Sequence, residues 1–98
     1  MDLTTIDRGC VVTSVAGRDE GREFVVLDLT KDGQYAVITD GKLRKVEKPK
    51  TKKLKHLRFY AASAGEDISG KIQNGTLPGN AEVRKALKMF STEESING

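Results

Sequence analysis

Cysteine and histidine, which supply disulfides, zinc ligands and the imidazole of many catalytic sites, are scarce in this sequence. It has one cysteine, one histidine and no tryptophan. A single cysteine cannot form an internal disulfide, and one Cys with one His falls short of the ligand sets that zinc prefers. One histidine also leaves no supported Ser/His/Asp arrangement. We therefore expect no enzyme, no metal site and no cofactor, and we expect Cys10, beside two valines, to be a small buried hydrophobe.

Long apolar runs are absent as well. No stretch approaches the roughly 18–20 apolar residues that span a bilayer. The N-terminal MDLTTIDRG contains two acids and no apolar run, unlike a signal peptide. We expect a cytoplasmic protein without a membrane partner. The length of 98 residues predicts one small domain.

Positive charge is concentrated in one place. Residues 42–58, called the basic segment below, carry nine Lys or Arg and one acid, Glu47, whereas the whole chain has a net charge of only +3. Such a concentration attracts polyanions more strongly than the same charge spread evenly. Apolar residues recur within the segment, which indicates that a folded scaffold displays it.

The first sixty residues read as short strands separated by turns. Residues 10–15, 24–29 and 35–39 form β-branched or apolar runs. Asp-Gly pairs at 32–33 and 40–41 predict hairpins between adjacent antiparallel strands. A fourth strand is expected at 43–46, interrupted by Pro49, and a fifth at 53–58. This spacing predicts a small barrel or a sandwich.

The C-terminal third reads as a linker followed by helical segments. Residues 67–72 predict one helical turn started by Ser69, and residues 81–90 predict a helix with Asn80 as its N-cap. Val83, Ala86, Leu87 and Phe90 fall on one face of that second helix. Because so short a helix is marginal alone, we expect this face to dock on the strands or on a partner protein.

The pattern of residues 7–12, 16–22 and 25–26 resembles a KOW motif, which joins two strands of an SH3-like barrel in ribosomal proteins and transcription elongation factors. Residues 40–46 and 53–57 are similar to KOW-bearing large-subunit ribosomal proteins of the archaeal and eukaryotic type. The resemblance covers about residues 5–60. It implies an SH3-like β-barrel of about five strands at 5–60. Together with the linker and the short, mostly helical extension that the sequence pattern predicts at 61–98, the expected fold is mainly β.

The same resemblance implies roles for residues of the loop at 16–22. Gly21 would be the key glycine of the motif, at a turn where a side chain would clash. Arg18 and Arg22 would flank a loop that faces RNA. Glu20 stands where a lysine is common in the family, so more of the prediction rests on the basic segment.

The basic segment predicts contacts to RNA phosphates, because affinity for nucleic acids rests largely on neutralising phosphates. Arg44 could form a bidentate phosphate contact, and His56 could stack, hydrogen-bond or pack at the barrel rim. The alternative is a charged face that serves solubility, and the near absence of acids favours binding. The candidate RNA-binding residues are Arg18, Arg22, Lys42, Arg44, Lys45, Lys48, Lys50, Lys52, Lys53, Lys55 and His56.

These patterns together predict a protein that binds structured RNA. Ribosomal RNA is the expected partner, with the protein acting in translation as a ribosomal protein or a ribosome-associated factor. The alternative is a KOW adaptor that binds protein in transcription or translation. It would use the Val83, Leu87 and Phe90 stripe rather than the lysines.

Overall fold

The computed structural model describes residues 5–97, including the side chains of residues 5–90. Its elements are the strands β1 (Val11–Ser14), β2 (Glu23–Leu29), β3 (Tyr35–Thr39), β4 (Lys50–Lys53) and β5 (Leu57–Ala61), a 3₁₀ helix (Leu54–His56) before β5, and the helices α1 (Glu66–Gln73) and α2 (Asn80–Asn97). All pairings are antiparallel, in the order β4-β3-β2-β1-β5.

The predicted mainly β fold with a helical C-terminal part is confirmed as a five-stranded antiparallel sheet with two helices. The sheet is open, with β4 and β5 as its edges. The finer prediction of a closed barrel therefore stays a prediction. None of the helices in residues 5–97 is long and apolar enough to cross a membrane.

The strand predictions are right for β1, β2 and β3 and wrong for β4 and β5. Asp32-Gly33 lies between β2 and β3 as expected, but Asp40-Gly41 leads into an irregular connection, because β4 begins only at Lys50. The predicted strand at 43–46 is absent, and Leu43 is 62% exposed. The predicted strand at 53–58 is replaced by the 3₁₀ helix and the start of β5.

The carboxylate of Asp40 explains why the chain turns instead of continuing as a hairpin. Its Oδ1 accepts hydrogen bonds from the backbone N–H groups of Lys42 (2.9 Å) and Arg44 (2.8 Å). The backbone N–H of Asp40 donates in turn to the carbonyl of Arg44 at 3.0 Å. Asp commonly bonds its own neighbouring backbone in this way. Residues 40–44, called the Asp40 turn below, are thereby closed on themselves and unavailable for a strand.

Both faces of β1 and β2 are buried, which is why their sequences are nearly continuous apolar runs. Val12, Phe24 and Val26 belong to one core cluster, formed with Ala36, Ile38 and Leu57. Val11 and Val25 belong to a second cluster on the opposite face, formed with residues of the two helices. The helices are therefore needed to cover the second face of the sheet.

The helices reach that face through apolar residues at helical spacing. Ile68 and Ile72 come from α1, and Val83, Ala86 and Leu87 come from α2. The Phe90 ring packs edge-on against Tyr60, with ring centroids 5.4 Å apart. Docking of this face on the strands is thus confirmed. The adaptor surface predicted from Val83, Leu87 and Phe90 needs correction, because the first two are buried and the third packs against the core.

The predicted helix starts also need correction. α1 begins at Glu66, and Ser69 lies inside it, donating from Oγ to the carbonyl of Gly9 at 3.1 Å. At the start of α2, Glu82 accepts from the N–H of Gly79 at 2.9 Å, the backbone half of a capping box. Asn80 instead binds the strand connection.

The Asn80 side chain fastens the basic segment to α2. Its Oδ1 accepts from the N–H of Val46 at 2.9 Å, and its Nδ2 donates to the Glu47 carboxylate at 2.7 and 2.8 Å. Gly41 lies against the same helix start with φ of +72°. A Cβ added to Gly41 would overlap the carbonyl oxygen of Asn80 and lie 3.2 Å from Arg84 Cγ. The Asp40 turn can therefore meet α2 only with glycine at position 41.

We expect Gly41→Ala to lower the free energy of unfolding by about 2–5 kcal/mol, since left-handed strain is added to overlap with backbone. Gly21→Ala is the matched control. Gly21 has φ of +86° but nothing within 4 Å of an added Cβ, so the clash that the KOW resemblance implied at this position is absent. Only the left-handed strain of about 1–2 kcal/mol remains. Urea unfolding of both variants measures the difference. Equal losses would contradict the close approach of the Asp40 turn to α2.

Candidate functional site

The loop between β1 and β2 folds back against the basic segment. Its ends are closed by backbone hydrogen bonds from Gly21 N to the carbonyl of Ser14 (2.8 Å) and from Ser14 N to that of Arg22 (2.9 Å), and Arg22 N donates to the carbonyl of Asp19 (3.0 Å) within the loop. This closure sets the Asp19 carboxylate beside the basic segment, with Oδ2 at 3.2 Å from Arg44 Nη2 and 3.2 Å from Lys50 Nζ. The structure thus brings together the two regions that the sequence points to separately.

Asp19 is the buried centre of this cluster. Its side chain is 5% exposed, whereas those of Arg44 and Lys50 are each 33% exposed. Burial favours the neutral carboxyl, but hydrogen bonds from Lys50 and Arg44, together with their charges, outweigh it and hold the pKa of Asp19 below its usual value. Asp19 therefore stays ionised at neutral pH. It compensates part of the charge of Arg44 and Lys50, two of the residues predicted to bind phosphate.

Asp40 compensates a third cation. Its Oδ2 lies 3.3 Å from Arg22 Nη2, and its side chain is 7% exposed against 39% for Arg22. Because Oδ1 of the same carboxylate holds the Asp40 turn, Arg22 and Arg44 are positioned by one acidic residue. Asp40 thus binds the guanidinium group of Arg22 and the backbone of Arg44.

Lys52 is an internal residue, and its predicted contact with RNA needs correction. It is 8% exposed. Its Nζ donates to Ser14 Oγ and to the carbonyl of Ala16, both at 2.7 Å. Lys52 pairs with buried Ala36 in the sheet, so the side chain of Lys52 is directed to the interior while that of its neighbour Lys53 is exposed. Its ammonium group supports the loop at 16–22 and does not reach a surface ligand.

The other predicted residues separate into two groups. Arg22, Arg44 and Lys50 are half-buried in the ion pairs described above, and His56 is half-buried in the 3₁₀ helix. The exposed group consists of Arg18, Lys42, Lys45, Lys48, Lys53 and Lys55. No ion pair involves any member of this exposed group among the residues that the structure describes.

Sequence reasoning missed the contribution of α2 to this region. Arg84 donates from Nη1 to the carbonyl of Gly41 at 2.6 Å, and Lys88 follows one turn later on the same helix. Their spacing of four residues, which puts both on one helix face, was the signal in the sequence. Their approach to the Asp40 turn depends on how α2 docks.

Cys10 is 2% exposed and belongs to the core of the sheet. Burial raises the pKa of its thiol, which disfavours the nucleophilic thiolate. The expectation of a small buried hydrophobe is confirmed.

The comparisons with known proteins leave the resemblance to the KOW family untested. No protein family model matches the chain, and no curated protein matches its sequence.

The different roles of two neighbouring lysines can be measured. We expect Lys52→Met to lower the free energy of unfolding by about 1.5–3 kcal/mol, because it leaves two hydrogen-bond acceptors without the charged donor. Lys53→Met removes the same charge from an exposed position and should change stability by no more than about 0.5 kcal/mol. Urea unfolding at neutral pH measures both. If the two variants lost equal stability, Lys52 would not have the internal role described here.

Stability should also depend on the ionisation of Asp19. Because its folded pKa lies below the unfolded value of about 3.9, its contribution is complete above that value and is lost as the pH falls towards the folded pKa. We expect Asp19→Asn to lower the free energy of unfolding by about 1–3 kcal/mol near pH 7. The gap between the variant and the unchanged protein should narrow as the pH approaches about 3. Urea unfolding across this range tests the prediction, and a gap independent of pH would contradict it.

Proposed function

We propose that the protein binds structured RNA through its backbone phosphates, using the loop at 16–22 and the basic segment as one surface. The observation that carries this proposal is the division of charge within the segment. Its buried and half-buried cations have acidic or polar partners, whereas Lys42, Lys45, Lys48, Lys53 and Lys55 are exposed without an ion-pair partner among residues 5–97.

The acids in and around the segment offset these lysines only in part. Asp19 and Asp40 are buried and engaged by Arg44, Lys50 and Arg22. Glu47, the one acid of the segment, and Glu20 in the loop are exposed and keep their negative charges, so two acids face five exposed lysines. The exposed lysines therefore leave the surface with an excess of positive charge, which is the electrostatic footprint of a phosphate-binding protein.

The aromatic residues favour phosphate contacts over base stacking. A stacking platform needs exposed rings, yet the nearby Phe59 and Tyr60 are half-buried, and Tyr60 packs against Phe90. Duplex RNA is recognised mainly through phosphates, 2′-hydroxyls and shape. A structured RNA is thus a better match to this surface than a single strand.

The finer parts of the proposal rest on the resemblance to KOW proteins. On that basis the sheet is an SH3-like KOW barrel, the RNA is ribosomal, and the protein is a ribosomal protein or a ribosome-associated factor in the cytoplasm. The five-stranded antiparallel sheet and the closed loop before β2 are the features that support the barrel part of this proposal.

The experiment measures binding to a ribosomal RNA hairpin by fluorescence anisotropy at several salt concentrations. For about five neutralised phosphates, log affinity should fall against log salt with a slope of about −3 to −5. The triple change Lys45→Gln, Lys48→Gln and Lys53→Gln should weaken binding by about 10–100-fold and make the slope shallower by about 2–3. Lys52 is left unchanged so that folding is preserved.

The matched control removes three positive charges from exposed positions outside the segment, by Arg8→Gln, Lys31→Gln and Lys85→Gln. It should retain most of the affinity, because net charge alone does not create the surface. Equal weakening by the two triple variants, or none by the first, would contradict the proposal. A single strand of the same length that bound as tightly as the hairpin would contradict the preference for structured RNA.

A further inference from the structure

A second basic feature lies between α2 and the Asp40 turn. It is an open cleft of about 450 Å³ whose lining includes the cations Arg22, Lys42, Arg84 and Lys88 and the carboxylates of Glu23 and Asp40. Three of the cations, Lys42, Arg84 and Lys88, are exposed. We call it the α2 cleft.

The acids of the α2 cleft leave it with an excess of positive charge. Asp40 is 7% exposed and already accepts from Arg22 and from two backbone N–H groups. Glu23 is half-buried in β2. Four cations thus face two carboxylates. An anion entering the cleft would meet lysine and arginine donors without displacing a buried partner.

Arg84 is suited to hold such an anion in a defined place. Its Nη1 donates to the carbonyl of Gly41 at 2.6 Å, which orients the guanidinium group. A guanidinium has five N–H donors, and this is the one hydrogen bond of the Arg84 side chain among the described residues. The planar fork that remains matches the oxygen atoms of a phosphate, while Lys42 and Lys88 add point charges at the same opening.

The Asp40 turn connects the α2 cleft to the surface already described. Lys42 lines the cleft, whereas Arg44, two residues later, contacts Asp19. Arg22 lines the cleft and also belongs to the end of the loop at 16–22. The two positive regions are therefore neighbours that share the turn as a common wall.

We propose that the α2 cleft binds a phosphate group of the RNA backbone, so that α2 is part of the RNA interface. This inference rests on the proposed function, and it extends the surface from the sheet to a helix that lies outside the KOW resemblance. The polyanion would cross the Asp40 turn, with one phosphate in the cleft and others along the basic segment.

The first experiment compares two lysines of the same helix. Lys88 lines the α2 cleft, whereas Lys85 lines a groove on another side of α2, together with Ala64 and Met89. Lys88→Gln should weaken binding to the ribosomal RNA hairpin by about 3–10-fold and make the salt slope shallower by about 1. Lys85→Gln removes the same charge and should leave both quantities unchanged. Equal effects of the two changes, or no effect of Lys88→Gln, would overturn the inference.

The second experiment uses tripolyphosphate as a probe that does not depend on RNA. Nuclear magnetic resonance should show amide shifts at Lys42, Arg84 and Lys88 on titration, and Lys88→Gln should weaken them. Shifts confined to the basic segment, with none at Arg84 and Lys88, would overturn the cleft as a phosphate site.

The two proposals fail in distinguishable ways. If the triple change in the basic segment weakens RNA binding while Lys88→Gln does not, the RNA function stands and the α2 cleft is excluded from it. If tripolyphosphate shifts the cleft residues but the hairpin does not bind, the cleft takes free polyphosphate and its assignment to RNA is overturned. If neither ligand binds, both proposals are wrong.

Discussion

The buried carboxylate of Asp40 is the interaction on which most of the charged surface depends. One oxygen closes the turn at 40–44 by accepting from the backbone of Lys42 and Arg44, and the other meets Arg22. The closed turn presents Arg44 to Asp19 and carries Gly41 against the start of α2. A small carboxylate can do this because a buried anion requires several donors around it, and these donors come from Arg22 at the end of the loop at 16–22 and from the turn itself.

Two kinds of positive charge follow from this arrangement. Arg22, Arg44 and Lys50 are half-buried beside acids, and Lys52 is buried against Ser14 and Ala16. The ion pairs and hydrogen bonds of these cations hold the loop at 16–22 and the connection before β4 in position. The exposed lysines beyond them have no such role, so their charges act on the solvent and on any polyanion that approaches. The rigid inner cations thus support the outer ones.

The helices are joined to this surface by the same elements that complete the core. Ile68, Ile72 and Val83 cover the face of the sheet opposite to Phe24. Side chains at the start of α2 then reach the connection between β3 and β4, from Asn80 to Val46 and from Arg84 to Gly41. Burying each apolar side chain contributes about 1.5–3 kcal/mol, so core formation also fixes the position of the cations on α2.

The sequence by itself determined the first three strands, the two helices and the concentration of charge. Those features follow from local patterns, namely apolar runs around Asp32-Gly33, apolar spacing at Val83 and Leu87, and the lysines after position 41. Tertiary structure decided which lysine is internal, because adjacent Lys52 and Lys53 are equivalent in sequence and only the pairing of β4 with β3 turns one of them inward. It also decided where the Asp40 turn lies, since Arg22, which meets Asp40, and Asn80, which lies against Gly41, come from distant positions in the chain. Patterns among neighbouring residues do not predict contacts between residues far apart in the chain, and those contacts set the shape of the candidate site.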